Sequence, residues 1–401
     1  MRIKYEYHDK LSCLSLFSYF LWFPCFFLYQ YFISIELIPP VLGSYLPVVS
    51  IFLLVPLFLF NLKKFSGTNF IGVNIFLLII LYTSVCAVSY FFFKVPASDY
   101  WEVFIWTSSG VVYNVVCFLI AANLRFERSK NTHFSLLIVM SVIIFLNISD
   151  EWLFYIETPE NNKEYIAGYQ SYALVLFTSS LIVISSNVKD GIKLFLGVMV
   201  SAFSLYFCGA RTEFVLFTLS VFLFFILFNK SLSIKFRVEY LMISLVAILF
   251  FIIEFFPSYR MLNLFRLTSD YSVISRIEFF NNSLISIMES PFFGNYGDYV
   301  NYGGVGAYAH NILSVWQNLG LLGLTLYFVL FVVLWVQAIK CYQDNVIKET
   351  SEFRLFFLLL FSLTVALLLA KNYSYPLVGF LVGAYYRLME LKKSSYQNDF
   401  V

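Results

Sequence analysis

The sequence predicts an all-α membrane protein, a polytopic bundle of about 12 transmembrane helices with one long outer loop that contains an amphipathic helix. Of its 401 residues, 60% are apolar and 12% are charged, against about 45–50% and about 25% in a typical soluble domain. The apolar residues gather in long runs that end at charged residues or at Pro and Gly. This small number of charged residues could not cover the surface of a soluble protein. The composition therefore excludes soluble globular proteins and disordered proteins.

Each predicted span is an apolar run, and about 20 residues are enough to cross a bilayer. The runs are 11–35, 41–61, 70–93, 101–123, 133–149, 166–187, 192–209, 213–229, 238–256, 311–338, 354–371 and 374–389. The first run is too long for the core of a signal peptide and no small-residue cleavage site follows it, so we expect it to be retained. The chain therefore divides into spans 1–9 (residues 1–256), a large outer loop (257–310), and spans 10–12 with a short tail (311–401).

Lysine and arginine set the predicted orientation, because cytoplasmic loops carry an excess of both. With the N-terminus inside, most of the 26 Lys and Arg residues fall on the cytoplasmic side, while an acidic stretch from Asp150 to Glu164 falls outside. Both termini are therefore predicted to be cytoplasmic. The net charge of +2 gives no indication of a nucleic-acid partner.

The long loop is predicted to contain a helix from Ile274 to Glu289. Apolar residues recur there at steps of three and four, which indicates an amphipathic helix. They are Ile277, Phe280, Leu284, Ile287 and Met288. Ser290-Pro291 ends the pattern, since proline cannot continue a helix interior, and a glycine-rich run to Gly306 follows.

Four arginines on the outer side oppose the charge bias: Arg211, Arg260, Arg266 and Arg276. A guanidinium group binds phosphate oxygens with two parallel hydrogen bonds and keeps its charge when partly desolvated. The four therefore suit an anionic, lipid-linked phosphate, although an arginine near a helix end also reaches ordinary lipid headgroups. Arg211 is the strongest candidate because small residues surround it at a tight turn between two spans.

His310 stands at the outer start of the run that begins at Asn311. An imidazole titrates near neutral pH and can accept a proton from a hydroxyl group, while the alternative is a hydrogen bond at a helix start. Among the acids, Glu213 and Glu278 lie close in sequence to Arg211 and Arg276, so each is either a ligand contact or an ion-pair partner. Asp298, in the glycine-rich run, could orient a substrate.

The sequence gives no indication of a metal, a cofactor or a disulfide. The six cysteines are scattered singly without CxxC spacing, and there is no DxD motif, paired carboxylate or His/Cys cluster. We therefore expect the cysteines to be small residues that face lipid or the bundle.

Three segments together resemble the superfamily of O-antigen polymerases and O-antigen ligases of bacterial inner membranes. The first is Gly209-Ala210-Arg211-Thr212. The second is Ser275 to Phe280 followed by Ser290-Pro291-Phe292-Phe293-Gly294, with Phe near where many members have Trp. The third is His310-Asn311 followed by Gly320-Leu321-Leu322-Gly323. The matching region covers about residues 195–340, under half of the chain.

The resemblance implies an integral-membrane glycosyltransferase that works at the periplasmic face, with undecaprenyl-pyrophosphate-linked oligosaccharides as donor and acceptor. Arg211 and Arg276 would hold the pyrophosphate, and His310 would be the base in a direct, inverting displacement without a metal. Membrane lipids and a chain-length regulator are the further partners implied. Candidate substrate-binding residues are Arg266, Arg260, Glu213, Glu278, Asp298 and Asn311.

Three functions compete on these residues. A polymerase is preferred because the high Phe and Tyr content, the short tails and the lack of a soluble domain are typical of polymerases. A ligase, which moves finished polymer onto the lipid A core, shares the motifs and fits His310 equally well. A flippase or other transporter is less favoured, because transporters usually carry charges inside their spans and have two related halves.

Overall fold

A computed structural model describes residues 2–39, 45–65, 70–93, 100–149, 152–154, 169–228, 254, 271–304 and 306–398. This part of the chain is almost entirely helical, without a strand, and one isolated bridge pairs Ile148 with Phe154. The helices are α1 (Arg2–Trp22), α2 (Pro24–Ser34), α3 (Tyr45–Phe65), α4 (Ile71–Phe93), α5 (Tyr100–Ala121), α6 (Lys130–Leu146), α7 (Tyr169–Ser186), α8 (Gly191–Phe207), α9 (Arg211–Phe228), α10 (Tyr271–Glu289), α11 (Val300–Gly303), α12 (Leu313–Gln343), α13 (Asn345–Lys348), α14 (Ser351–Leu369) and α15 (Leu377–Asn398).

Seven helical segments of the described chain are long and apolar enough to cross a membrane, so the chain is a membrane protein. They are Asp9–Ser34, Ile71–Phe92, Phe104–Ala121, Tyr169–Ser186, Arg211–Phe228, Leu313–Gln343 and Ser351–Leu369. Shorter apolar helices occupy Tyr45–Asn61, Lys130–Leu146 and Gly191–Phe207, at three further predicted spans.

Two predicted spans lack such a counterpart. The run 238–256 lies, apart from residue 254, outside the described residues. The run 374–389 falls within α15, which is buried over its first half and continues into a charged segment with Lys392 and Lys393. The count of twelve, and the assignment of 257–310 to an outer loop, stay predictions. The amphipathic helix predicted from Ile274 to Glu289 is present as α10.

The chain forms two compact units that interleave in sequence. Unit 1 comprises residues 1–18, 46–124 and 271–401, and unit 2 comprises residues 19–45 and 125–270. The units follow spatial contacts, whereas the predicted boundaries at residues 256 and 310 follow topology and stay predictions.

In unit 1, α15 packs closely against α5 because glycines remove the side chains between them. A Cβ atom on Gly379 would overlap the carbonyl of Asn114, and one on Gly383 would overlap the carbonyl of Phe118. The Asn114 side chain also joins the helices, since its Oδ1 accepts from the Gly379 N–H at 2.8 Å. Small residues spaced four apart commonly allow two membrane helices to pack closely against each other.

One end of unit 1, here called the Lys64 end, has a buried polar cluster of Lys64, Ala122, Asn123 and Glu390. The Lys64 ammonium group lies 2.6 Å from the Glu390 carboxylate and donates to Asn123 Oδ1 at 2.8 Å and to the Ala122 carbonyl at 3.2 Å. These contacts tie α3 and the end of α5 to α15. The opposite, His310 end holds the starts of α12 and α15 and the end of α14.

Unit 2 is organised around α7, in which every side chain from Tyr172 to Ser186 is buried. Helices α2, α6, α8 and α9 pack around it. The Tyr19 hydroxyl lies 2.9 Å from the Ser179 hydroxyl, which satisfies two buried polar groups.

Candidate functional site

The His310 end is built on a break in α12. Gly320 has φ +66 inside this helix, and the turn after α10 fits against it with Gly294 at φ +72. The Leu321 N–H, which the break releases, donates to the carbonyl of Pro291 at 3.0 Å. Two segments that carry the family resemblance, 290–294 and 320–323, therefore meet in the structure and attach α10 to α12.

Polar contacts extend this attachment along both helices. The Ser283 hydroxyl of α10 donates to Gln317 Oε1 at 2.9 Å, and the Trp316 indole N–H donates to the Pro291 carbonyl at 2.9 Å. The Asn295 N–H donates to the Gln317 carbonyl at 2.6 Å. Because both Ser283 and Gln317 are fully buried, these bonds fix the register of α10 on α12.

His310 is held at the start of α12 by the residues that begin the helix. Asn311 Oδ1 accepts from the Leu313 N–H at 2.9 Å, and the Asn311 carbonyl accepts from the Ser314 hydroxyl at 2.7 Å. Such contacts satisfy backbone groups that a helix start leaves open. The side-chain oxygen of Asn311 is thus used by the fold, and its predicted role in substrate binding stays a prediction.

The imidazole of His310 lies near two aromatic rings and two positively charged side chains. Its centroid is 5.0 Å from the Tyr308 ring and 6.3 Å from the Phe279 ring of α10. Burial, with the nearby positive charges of Arg276 and Lys371, lowers the pKa of His310 to about 4. The imidazole is therefore neutral at pH 7 and has a nitrogen free to accept a proton.

Aromatic side chains line the other side of Tyr308. Its ring stacks on Trp106 of α5 at 5.2 Å with an interplanar angle of 30°, and meets Tyr299 edge to face at 5.5 Å. Burial raises the pKa of Tyr308 to about 12, and the nearby Arg276 charge opposes that rise. We use the name His310 site for Arg276, Phe279, Tyr308, His310 and Lys371.

Arg276 is the cation of the His310 site that α10 supplies. It is half-buried, and within the described part of the chain it makes no hydrogen bond or ion pair. Glu278, the alternative partner that the sequence suggested, is exposed and does not pair with it. An arginine in this state has donors that an anion can use.

Lys371 is the residue of the site that the sequence did not single out. It lies in the connection between α14 and α15, where its ammonium group is 5.1 Å from the centre of the Tyr375 ring. The connection is fastened to α12 because the Tyr373 N–H donates to the Ser314 hydroxyl at 3.2 Å. No motif marks Lys371; the only signal was its place between the last two predicted spans, on the same predicted side as His310.

Asp298 belongs to the turn that leads into α11. Its carboxylate is buried and accepts from the Asn301 side-chain amide at 3.0 Å. It also lies near the Tyr302 hydroxyl, whose pKa is raised by desolvation and by the Asp298 charge. These contacts give Asp298 a role in shaping the turn, and its predicted contact with substrate stays a prediction.

Arg211 begins α9 in unit 2, directly after the turn Cys208–Ala210. Gly209 has φ +67 there, which confirms that a small residue permits the tight turn. Glu213 is buried in the first turn of α9. Arg211 belongs to unit 2 and Arg276 and His310 to unit 1, so their convergence in one site stays a prediction.

Arg260 and Arg266 lie outside the described residues. Within the described ranges, no group of three or more His, Cys, Asp or Glu side chains is placed to hold a metal ion. No known family model matches the chain, and no curated protein matches it.

The His310 site combines three chemical properties. Arg276 and Lys371 present positive charge, His310 presents a neutral nitrogen, and Tyr308 adds an aromatic face. Positive groups placed in advance stabilise an anion that forms during a reaction, and a neutral imidazole can remove a proton from an attacking hydroxyl.

Proposed function

We propose that the chain is a membrane glycosyltransferase, an O-antigen polymerase that joins lipid-linked oligosaccharide repeat units. The observation that carries the proposal is the position of His310 beside the Tyr308 and Phe279 rings, where burial and the positive charges of Arg276 and Lys371 keep its imidazole neutral. A glycosyl pyrophosphate donor needs cations at its leaving group and a base at the acceptor hydroxyl. The His310 site offers both kinds of group.

In the proposed reaction, an acceptor hydroxyl attacks the anomeric carbon of an undecaprenyl-pyrophosphate-linked oligosaccharide. A new C–O bond forms, the bond between that carbon and the pyrophosphate oxygen breaks, and the configuration inverts. His310 takes the hydroxyl proton, while Arg276 stabilises the pyrophosphate that leaves. The resemblance implies the same kind of role for Arg211. The charge of the bound donor offsets the cations around His310 and so raises the pKa of the imidazole, which makes it a stronger base.

The proposal places the protein in the bacterial inner membrane, with both termini in the cytoplasm and the His310 site at the periplasmic face. The distribution of Lys and Arg supports this orientation. The Lys64 end would then face the cytoplasm, together with Arg387, Lys392 and Lys393 of α15. A lipid-linked donor would reach Arg276 from the outer leaflet.

The proposal is tested by deleting the gene in its host and separating the lipopolysaccharide on a gel. A polymerase deletion leaves core carrying a single repeat unit. The wild-type gene should restore long chains, whereas Arg276→Ala, produced at the same level in the membrane, should not.

Other gel patterns contradict the proposal and identify the alternative. Bare core with polymer accumulating on the lipid carrier indicates a ligase. Bare core with repeat units held on the cytoplasmic leaflet indicates a flippase. Normal chain length in the Arg276→Ala strain would remove Arg276 from the proposed mechanism.

A further inference from the structure

Helix α10 presents three different sides along its length. Ser283, Ser286 and Ile287 are buried on the side that packs against α12. A second side is apolar but exposed, and its large residues are Ile274, Ile277, Phe280, Ile285 and Met288. The apolar period that the sequence shows therefore serves two separate surfaces, of which protein covers one within the described chain.

The exposed apolar side continues into the turn that follows α10. Phe292 and Phe293 are 66% and 81% exposed, although both are large aromatic residues whose burial is strongly favoured. The backbone of this turn contacts α12 at Gly320, directly before the exposed Leu321 and Leu322. The two phenylalanines therefore adjoin the exposed apolar residues of a helix that is long and apolar enough to cross the membrane.

The third side of α10 is acidic and adjoins the exposed apolar side at Ile274 and Ile285. Glu278 and Glu289 are exposed, and each lies four residues after one of these isoleucines, at a spacing that makes them neighbours on the helix surface. A charged carboxylate is costly inside the hydrocarbon layer. A helix with an apolar side next to a charged side, beside a membrane span, is suited to lie at the boundary between lipid and water.

We propose that α10 and the Phe292–Phe293 turn are seated in the membrane interface, with the exposed apolar side buried among lipid acyl chains. Continuity with the exposed surface of α12 identifies lipid as the occupant, because a spanning helix already presents that surface to the bilayer. Glu278 and Glu289 then mark the water side. The proposal is independent of the enzymatic one, although it would place Arg276 at the level of lipid headgroups.

The test compares neighbouring cysteine variants of the full chain in proteoliposomes. Met288→Cys and Phe293→Cys probe the apolar surface, and Glu289→Cys is the matched control on the same helix. Each is treated with a charged maleimide, and peptide mass spectrometry reads the labelling at the introduced residue, so that the native cysteines do not interfere. We expect the two apolar positions to label at least tenfold more slowly than position 289, and all three to label equally after unfolding in SDS.

Lipids with a photoactivatable diazirine in the acyl chain identify what covers the surface. On illumination, the lipid should attach to the peptide that contains Met288 and Phe293. Equal labelling of positions 288, 293 and 289 would overturn the proposal by placing the surface in water. Protection of all three positions without lipid attachment would also overturn it, because a protein surface would then be the cover.

Discussion

At the scale of single residues, the charge state of His310 decides what the site can do. With a pKa of about 4, against about 6.5 for an unperturbed histidine, the imidazole is neutral in the free protein over the physiological range. A neutral imidazole avoids a third positive charge next to Arg276 and Lys371. In the proposed reaction it would be a weak base until an anion arrives, so proton removal would be coupled to occupancy of the site.

Replacing Lys371 should move the pH dependence of transfer. Lys371→Gln removes one of the charges that lower the pKa of His310, so that pKa should rise from about 4 towards about 6.5. Since kcat/KM reports groups of the free enzyme, the acid limb of its pH profile should shift upward. The measurement is the initial rate of glycosyl transfer by protein in proteoliposomes between pH 4 and pH 8.

Two further variants sharpen this measurement. Glu289→Gln removes an exposed charge from α10 without changing a group that affects His310, so its acid limb should match that of the wild type. An unchanged acid limb in Lys371→Gln would show that the lysine does not act on His310. Loss of that limb in His310→Ala, with residual slow transfer, is expected if the imidazole titrates as the base.

The sequence identified some of these residues and missed others for a physical reason. Arg276 and His310 could be found because an arginine on the outer side is costly and because a histidine is rare in this chain, which has three. Lys371 could not be found in this way, since a lysine in a short connection looks like any solvated charge. Only the tertiary contact between the 370–376 connection and α12 brings it to the His310 site.

At the scale of elements, the junction between α10 and α12 depends on two glycines that face each other. Gly294 and Gly320 both have positive φ, and a Cβ on either would overlap backbone atoms of the other segment. Backbone with such a positive φ costs residues that have a side chain roughly 1–3 kcal/mol, and overlap of a Cβ atom with backbone atoms leaves no flexible side chain to relieve it.

Alanine at either glycine should destabilise this junction. We expect Gly294→Ala and Gly320→Ala to lower the melting temperature of the detergent-solubilised protein, measured as the fraction that stays monodisperse after heating. Gly304 also has positive φ but open space around it, so Gly304→Ala should show the backbone cost alone, roughly 1–3 kcal/mol. Gly306→Ala, with neither positive φ nor a neighbour within 4 Å, should behave as the wild type.

A stability ranking in which Gly304→Ala equals Gly294→Ala would mean that overlap contributes nothing.

The sequence predicted α10 well because its apolar period is strong, but it could not tell which side faces protein. Ile277 and Ile287 are equally apolar, yet the first is exposed and the second is buried. In a membrane protein both lipid and protein are apolar, so the period alone does not distinguish them.

At the scale of the whole molecule, helices from the last part of the sequence pack with helices from its first part. Unit 1 joins α3, α4 and α5 to α12, α14 and α15, and the Lys64 end fastens the two groups by the ion pair between Lys64 and Glu390. Their side chains are only 6% and 21% exposed. Loss of one partner from a buried pair leaves a charge that is poorly solvated.

Lys64→Met should therefore destabilise unit 1 by about 3 kcal/mol. The measurement is the denaturant or thermal midpoint of the purified protein, and adding Glu390→Gln should restore part of the loss. In unit 2, the exposed pair of Lys193 and Asp190 offers the control, and Lys193→Met should cost less than about 1 kcal/mol. Equal effects at the two pairs would contradict a structural role for the Lys64 end.

Composition and apolar runs were sufficient to predict helices and a membrane location, because both follow from hydropathy. The pairing of α5 with α15 could not be predicted in the same way, since it depends on where Gly379 and Gly383 meet Asn114 and Phe118. Such contacts between distant parts of the chain leave no local pattern.

The interruption at Gly320 divides α12 into two helical segments with different roles. From Leu321 to Gln343 the second segment measures about 34 Å, which alone is enough to traverse a bilayer. The short segment before Gly320 is therefore not needed to span the membrane, and it packs against α10 instead. If α10 lies in the membrane interface as proposed, a tilt of α10 also moves His310, which lies just before α12, and the proposed chemistry would then respond to bilayer thickness.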